Sequence, residues 1–153
     1  SAMRAGLKKA SWPGRMETVS RRPLVMLDCA HNPDGAGTLA SALKSIRYRR
    51  LVLVIGVMQD KDINGILAKL VPFASTVIVT APETKRAEAA EALALRITPY
   101  KKEVVISKDV RSAVKEAVSR AAKTDMVLVT GSIFTVGEAK RAVKGVLRRA
   151  RHL

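Results

Sequence analysis

Cysteine is almost missing from this 153-residue chain, which holds Cys29 alone. One thiol builds neither a disulfide framework nor a cysteine metal site, and the pattern suits a reducing compartment. Cys29 itself reads as a small buried hydrophobe before a reactive thiol. Aromatic residues are scarce too: Trp12, Tyr48, Phe73, Tyr100 and Phe134 are all there are, and no two are spaced as a base-stacking platform. No apolar run approaches the ~20 residues that span a bilayer, and the start lacks the apolar core of a signal peptide. The expected setting is therefore the cytoplasm, with no membrane. Acidic residues are few, 13 against 28 Lys and Arg, which leaves a net charge of +15. That excess invites a nucleic-acid reading. The cations, however, are dispersed over Arg47-Tyr48-Arg49-Arg50, Lys101-Lys102 and Arg148-Arg149-Ala150-Arg151, mostly at expected helix ends, where they complement the helix dipole. Solvated surface is the preferred account, attraction of anionic substrates or an acidic partner domain the second, and nucleic acid the last. Walker A and Gly-x-Gly-x-x-Gly patterns are missing, as is any Ser/His/Asp arrangement at workable spacing. By itself the chain cannot cradle a triphosphate.

What is present is an alternation of two periodicities. Short branched runs end in polar turns: Pro23 to Asp28, Leu51 to Val57, Thr76 to Thr80, the shorter Val104 to Ile106, and Met126 to Thr130. Such runs read as strands buried on both faces. Between them, apolar residues recur at helical spacing: Ala36, Leu39, Ala40, Leu43 and Ile46; Ile63, Ile66, Leu67 and Leu70; Ala87 to Ile97; Val110 to Ala121; and Val136 to Leu147. Asn32, with Pro33 behind it, Asp62 and Asp109 are the expected caps. Met16 to Ser20 is expected to pair antiparallel with the next strand through a tight turn at Ser20-Arg21-Arg22-Pro23, and a short helix is expected through Leu7-Lys8-Lys9. The sum is an α/β fold: a Rossmann-like, doubly wound, mostly parallel sheet of about six strands, with one antiparallel edge strand and helices on both faces. Ser1-Ala2-Met3 reads as an expression scar, so the natural chain is expected to extend upstream; residues 4–153 read as a single domain.

In a parallel sheet the turns after the strands share one edge, and ligands bind there. Four such turns carry chemistry. Asp28 can accept two ribose hydroxyls or act as a turn residue; His31, at the start of a helix, can meet a ligand or bond a neighbouring backbone carbonyl. In Gly56-Val57-Met58-Gln59-Asp60-Lys61-Asp62, Lys61 can hold a carboxylate or pair with the adjacent aspartates. Thr80 to Arg86 is a third polar turn. Ser132, after Gly131, can grip a carboxylate or phosphate beside a helix start, or cap that helix.

Four segments in order, Trp12-Pro13-Gly14-Arg15-Met16-Glu17, Leu27-Asp28-Cys29-Ala30-His31-Asn32-Pro33-Asp34-Gly35, Gly56 to Asp62, and Thr130-Gly131-Ser132-Ile133-Phe134-Thr135-Val136-Gly137-Glu138, are together specific. They resemble the C-terminal domain of the folylpolyglutamate synthase and dihydrofolate synthase family, within the Mur ligase superfamily, over nearly the whole chain. Cys29, where that family commonly has a small residue such as glycine, and Phe134-Thr135-Val136 depart mildly from its wording. The resemblance implies an upstream ATP-binding domain that carries the P-loop, the magnesium ligands and most of the folate site. It implies that Arg15 and Asp28 meet ATP, that His31 stands as a catalytic group at the junction of the two sites, and that Lys61 and Ser132 face the incoming L-glutamate. The implied reaction is ATP-dependent: a folate or dihydropteroate carboxylate becomes an acyl phosphate, which the glutamate amine attacks. Domain closure would complete the site, so the isolated domain is expected to be inactive, and a monomer is expected. The competing reading is a freestanding α/β module that binds a nucleotide or carboxylate without catalysis.

Overall fold

In the computed structural model, which describes residues 14–152, six strands form one sheet in the order β1-β2-β6-β3-β4-β5. They are β1 (Glu17–Arg21), β2 (Leu24–Asp28), β3 (Leu51–Ile55), β4 (Thr76–Val79), β5 (Glu103–Ile106) and β6 (Met126–Thr130). Only the β1–β2 pair is antiparallel; the other four pairings are parallel. The helices are α1 (Pro33–Leu43), α2 (Ile63–Leu70), α3 (Ala90–Ile97), α4 (Val110–Arg120) and α5 (Ile133–Ala150), with one-turn 3₁₀ segments at Val71–Phe73 and Thr98–Tyr100. The expected doubly wound sheet with one antiparallel edge strand is therefore what forms. The segment Leu7-Lys8-Lys9, together with Trp12 and Pro13, lies outside the described residues.

Handedness explains the two helix layers. The steps from β2 to β3, β4 and β5 all advance the same way across the sheet, so right-handed crossovers lay α1, α2 and α3 on one face. The step from β5 to β6 runs back into the gap between β2 and β3, which sends α4, and α5 after it, to the opposite face. Strand residues alternate accordingly. In β3, Leu51, Leu53 and Ile55 pack with the first layer, while Val52 and Val54 pack with the second. β3 and β6 are buried along their whole length, whereas the edge strands β1 and β5 are partly exposed.

Local chemistry sets the helix starts. The side chains of Asn32, Asp62 and Asp109 accept the amides of Gly35, Gly65 and Ser112, as expected of caps, and Pro33 occupies the first position of α1. Several boundaries differ from expectation by a residue or more, two of them beside the sheet edge. β3 ends at Ile55, not Val57, and α3 begins at Ala90, not Ala87. The cause is shared: Met58 and Ala87 form an antiparallel bridge, so the turn after β3 and the segment before α3 are paired instead of continuing as strand and helix.

Candidate functional site

The parallel strands end at one edge, and β6 brings two distant turns together there. Asp28 and Ile55 are both register partners of Thr130, so the turns after β2, β6 and β3 stand side by side. The sheet reverses its winding at this place, the position where open α/β sheets form a crevice.

Asp28 is half-buried and already engaged. One carboxylate oxygen accepts the Ala30 amide at 2.8 Å and the other the Met16 amide at 3.0 Å. Each oxygen keeps a lone pair for a further donor. The same turn is sealed by the Cys29 amide, which donates to the Gly14 carbonyl at 2.6 Å, and by the Gly14 amide, which donates to Glu17 at 2.9 Å. Gly14 sits at φ +73°, and a β-carbon there would stand 2.6 Å from the Cys29 sulfur. The Gly14 bond holds the Glu17 carboxyl below its ordinary range, with Lys140, 3.1 Å away, adding to the effect against a smaller cost of burial. Arg15 is exposed at the tip of this turn, next in sequence to the amide that Asp28 accepts. Burial first, and then the charge of Asp28, push the Cys29 thiol up, which fits a packed group and not a nucleophile.

His31, Lys61 and Ser132 come together around one hollow of about 190 Å³, with Met58, Arg86, Ile133 and Phe134 completing its wall. The His31 ring lies with Nδ1 3.0 Å from the Cys29 carbonyl. A carbonyl only accepts, so Nδ1 carries the proton in that bond and a neutral ring offers Nε2 as an acceptor. Lys61 Nζ stands 3.7 Å from Asp60, and one guanidinium nitrogen of Arg86 lies 3.3 Å from each Asp60 oxygen. Desolvation, the largest single influence, pushes the Asp60 carboxyl up, but a backbone amide, Arg86 and Lys61 together outweigh it and hold the group below its ordinary range.

Ser132 is 2 % exposed, and its hydroxyl caps α5 by accepting the Thr135 amide at 3.0 Å. Thr135 Oγ1 donates to the Gly56 carbonyl at 2.8 Å, so the 2.9 Å contact between the two hydroxyls has Ser132 as donor. The hydroxyl proton of Ser132 is thus used internally. What the cap turns toward the hollow is the start of α5: the amides of Ile133 and Phe134 have no acceptor among the described residues. An anion is favoured there. Phe134 and Ile133 are large apolar side chains left 41 % and 60 % exposed at the same rim.

Arg15 and Asp28 do not line this hollow; they form a neighbouring group joined to it through Cys29 and His31. Arg86, Met58, Ile133 and Phe134 were missed as site residues by sequence reasoning. Arg86 closes a turn whose polarity marks it, whereas the exposure of Phe134 has no local signal. Among the described residues no three His, Cys, Asp or Glu side chains gather as a metal site, and no helix is long and apolar enough to cross a membrane.

A family model described as the Mur ligase glutamate ligase domain matches residues 14–133. The dihydrofolate synthase/folylpolyglutamate synthase of Mycobacterium tuberculosis is 38% identical over 157 residues, covering 91% of this chain and 32% of the relative. The Escherichia coli protein of that name is 34% identical over 144 residues, covering 94% of this chain and 33% of its own length. A Yersinia pestis bifunctional folylpolyglutamate synthase/dihydrofolate synthase, solved with Mn, AMPPNP and L-glutamate bound, matches with a TM-score of 0.83 at 35% identity, over 94% of this chain and 34% of that one. The chain thus spans about a third of the length of these relatives.

Proposed function

Because the chain belongs to the Mur ligase glutamate ligase domain family, we propose that it carries the glutamate side, and part of the nucleotide side, of an ATP-dependent ligase joining L-glutamate to a folate or dihydropteroate carboxylate. The observation that carries this reading is the hollow at the sheet edge. Its wall combines a cation, Lys61, with the open amides at the start of α5, and both suit a carboxylate. The exposed Phe134 and Ile133 at its rim fit a site closed by a second domain, which excludes water from the reacting groups. That second domain is an upstream ATP-binding domain of the same polypeptide; residues 4–153 are the single domain completing it, monomeric and cytoplasmic.

Asp28 and Arg15 suit the nucleotide. The spare lone pairs of Asp28 match ribose hydroxyls, and the exposed guanidinium of Arg15 matches phosphate oxygens. ATP, when bound, supplies the phosphoryl group that activates the acceptor carboxylate, and a magnesium ion held by the other domain accompanies it. Lys61 orients glutamate, Ser132 fixes the helix start against which a carboxylate rests, and His31, between the two groups, aligns amine and nucleotide through Nε2.

Steady-state kinetics of the full-length protein, with ATP and glutamate varied separately, tests this division. Lys61→Ala should raise the glutamate KM about ten- to hundredfold, the range of one charge-assisted bond, and Asp28→Ala should do so for ATP. A Lys61→Ala enzyme with raised KM for ATP and unchanged KM for glutamate would overturn the assignment.

A further inference from the structure

Glutamate carries two carboxylates, and the hollow carries two cationic heads. Lys61 accounts for one. Arg86 reaches the same wall from the segment before α3, and three backbone and side-chain bonds hold it there: the Gln59 amide donates to the Arg86 carbonyl at 2.8 Å, Gln59 Nε2 to the Ala87 carbonyl at 3.1 Å, and the Glu88 amide to the Val57 carbonyl at 2.9 Å. The turn that bears Lys61 and the segment that bears Arg86 are thus stapled together before any ligand arrives. The guanidinium is underused. A carboxylate that fits arginine takes two parallel N–H bonds at about 2.7–2.9 Å; here a single nitrogen straddles both Asp60 oxygens at 3.3 Å, and Nε and Nη1 have no partner among the described residues. Both side chains of this pair are 57% exposed, and such pairs contribute little. Asp60 steadies the guanidinium without occupying its fork.

We infer that Arg86 binds the second carboxylate of glutamate and makes the site selective for a dicarboxylate, an inference that rests on the glutamate reading above. Lys61 and Arg86, which flank Asp60 at 3.7 and 3.3 Å, would then meet the two carboxylates of the substrate, leaving the amine free to react. A neutral end would leave one cation facing an amide.

The test uses the full-length protein and compares Lys61→Ala, Arg86→Gln and Arg86→Lys. Glutamate KM is read alongside the competitive inhibition constants of two amides, L-glutamine and glutamic acid α-amide, each lacking one of the charges. Arg86→Gln should raise the glutamate KM about ten- to hundredfold, Arg86→Lys less, with the KM for ATP and the melting temperature unchanged. One of the two amides should weaken as glutamate does, and the other, without the carboxylate that Arg86 reads, should be indifferent. If both amides weaken equally, Arg86 merely shapes the turn and the inference is overturned. It is also overturned, alone, if Lys61→Ala weakens glutamate and Arg86→Gln does not. If neither variant alters glutamate use, the glutamate reading of the hollow fails and the inference falls with it.

Discussion

Gly131 is the position where backbone geometry and site construction meet, and replacing it with alanine should be costly out of proportion to one methyl group. Its φ of +116° is a conformation that L side chains rarely adopt, and a β-carbon would be driven onto the Gly56 carbonyl. Strain of this kind costs about 1–3 kcal/mol, and forced overpacking about as much again. The Gly56 carbonyl is also the acceptor at the end of the Ser132–Thr135 hydroxyl chain, so pushing it aside loosens the cap of α5 as well. For a domain of this size the combined loss corresponds to a melting temperature roughly 4–24 °C lower. The control is Gly145→Ala. That residue lies inside α5, where an added β-carbon meets nothing within 4 Å, so alanine should stabilise by about 0.5–1 kcal/mol. Thermal unfolding followed by circular dichroism, with urea titration for the free energy, reads both. A Gly131→Ala protein melting within about 2 °C of the parent would refute the argument, because less than ~1 kcal/mol would then have been at stake.

Ser132→Ala should cost about 1 kcal/mol of stability through the lost cap, and Ser132→Asn should recover part of it; equal stability of parent and alanine variants would contradict the capping role. Asp125 should contribute to acid lability. Burial pushes its carboxyl up, but the Ala122 amide at 2.8 Å and the Arg50 guanidinium at 3.0 Å outweigh that and leave it lowered. With the folded value depressed, the unfolded chain binds more protons as the pH falls, so this stabilisation is complete above the ordinary carboxylate value near about 4 and is lost below it. Asp125→Asn should flatten the acid limb of the stability curve; parallel curves for variant and parent would exclude the coupling.

Most of the fold is legible in the sequence because its determinants are local. An apolar run, a capping side chain three residues from the amide it accepts, and a stripe at helical spacing each declare themselves within one element, as at Asn32, Asp62 and Asp109. Strand order is different. Nothing within Met126–Thr130 says that it fills the gap between β2 and β3; that follows from a long return crossover, and it is this return that sets Thr130 between Asp28 and Ile55. The short start of α3 is likewise decided by a partner 29 positions away, through the Met58–Ala87 bridge.

At the site, the sequence offers each residue two readings, a ligand role and a structural one, and the structure realises the structural one without removing the room for the other. Asp28 is a turn residue, yet each of its oxygens retains an open lone pair. His31 bonds a backbone carbonyl, and that bond presents Nε2 as the free acceptor. Ser132 is a helix cap whose proton is spent on Thr135, so a carboxylate near it must be met by the amides of Ile133 and Phe134 that the cap sets in place. A substitution at Ser132 that preserves the cap should therefore spare glutamate binding more than one that removes it. In this edge of the sheet, internal hydrogen bonding is what holds Asp28, His31 and the start of α5 still. The cations at this edge are held least: Arg15 and Arg86 are exposed, Lys61 is half-buried, and the loose pairs of Lys61 and Arg86 with Asp60 leave their heads able to turn to an incoming anion at little cost.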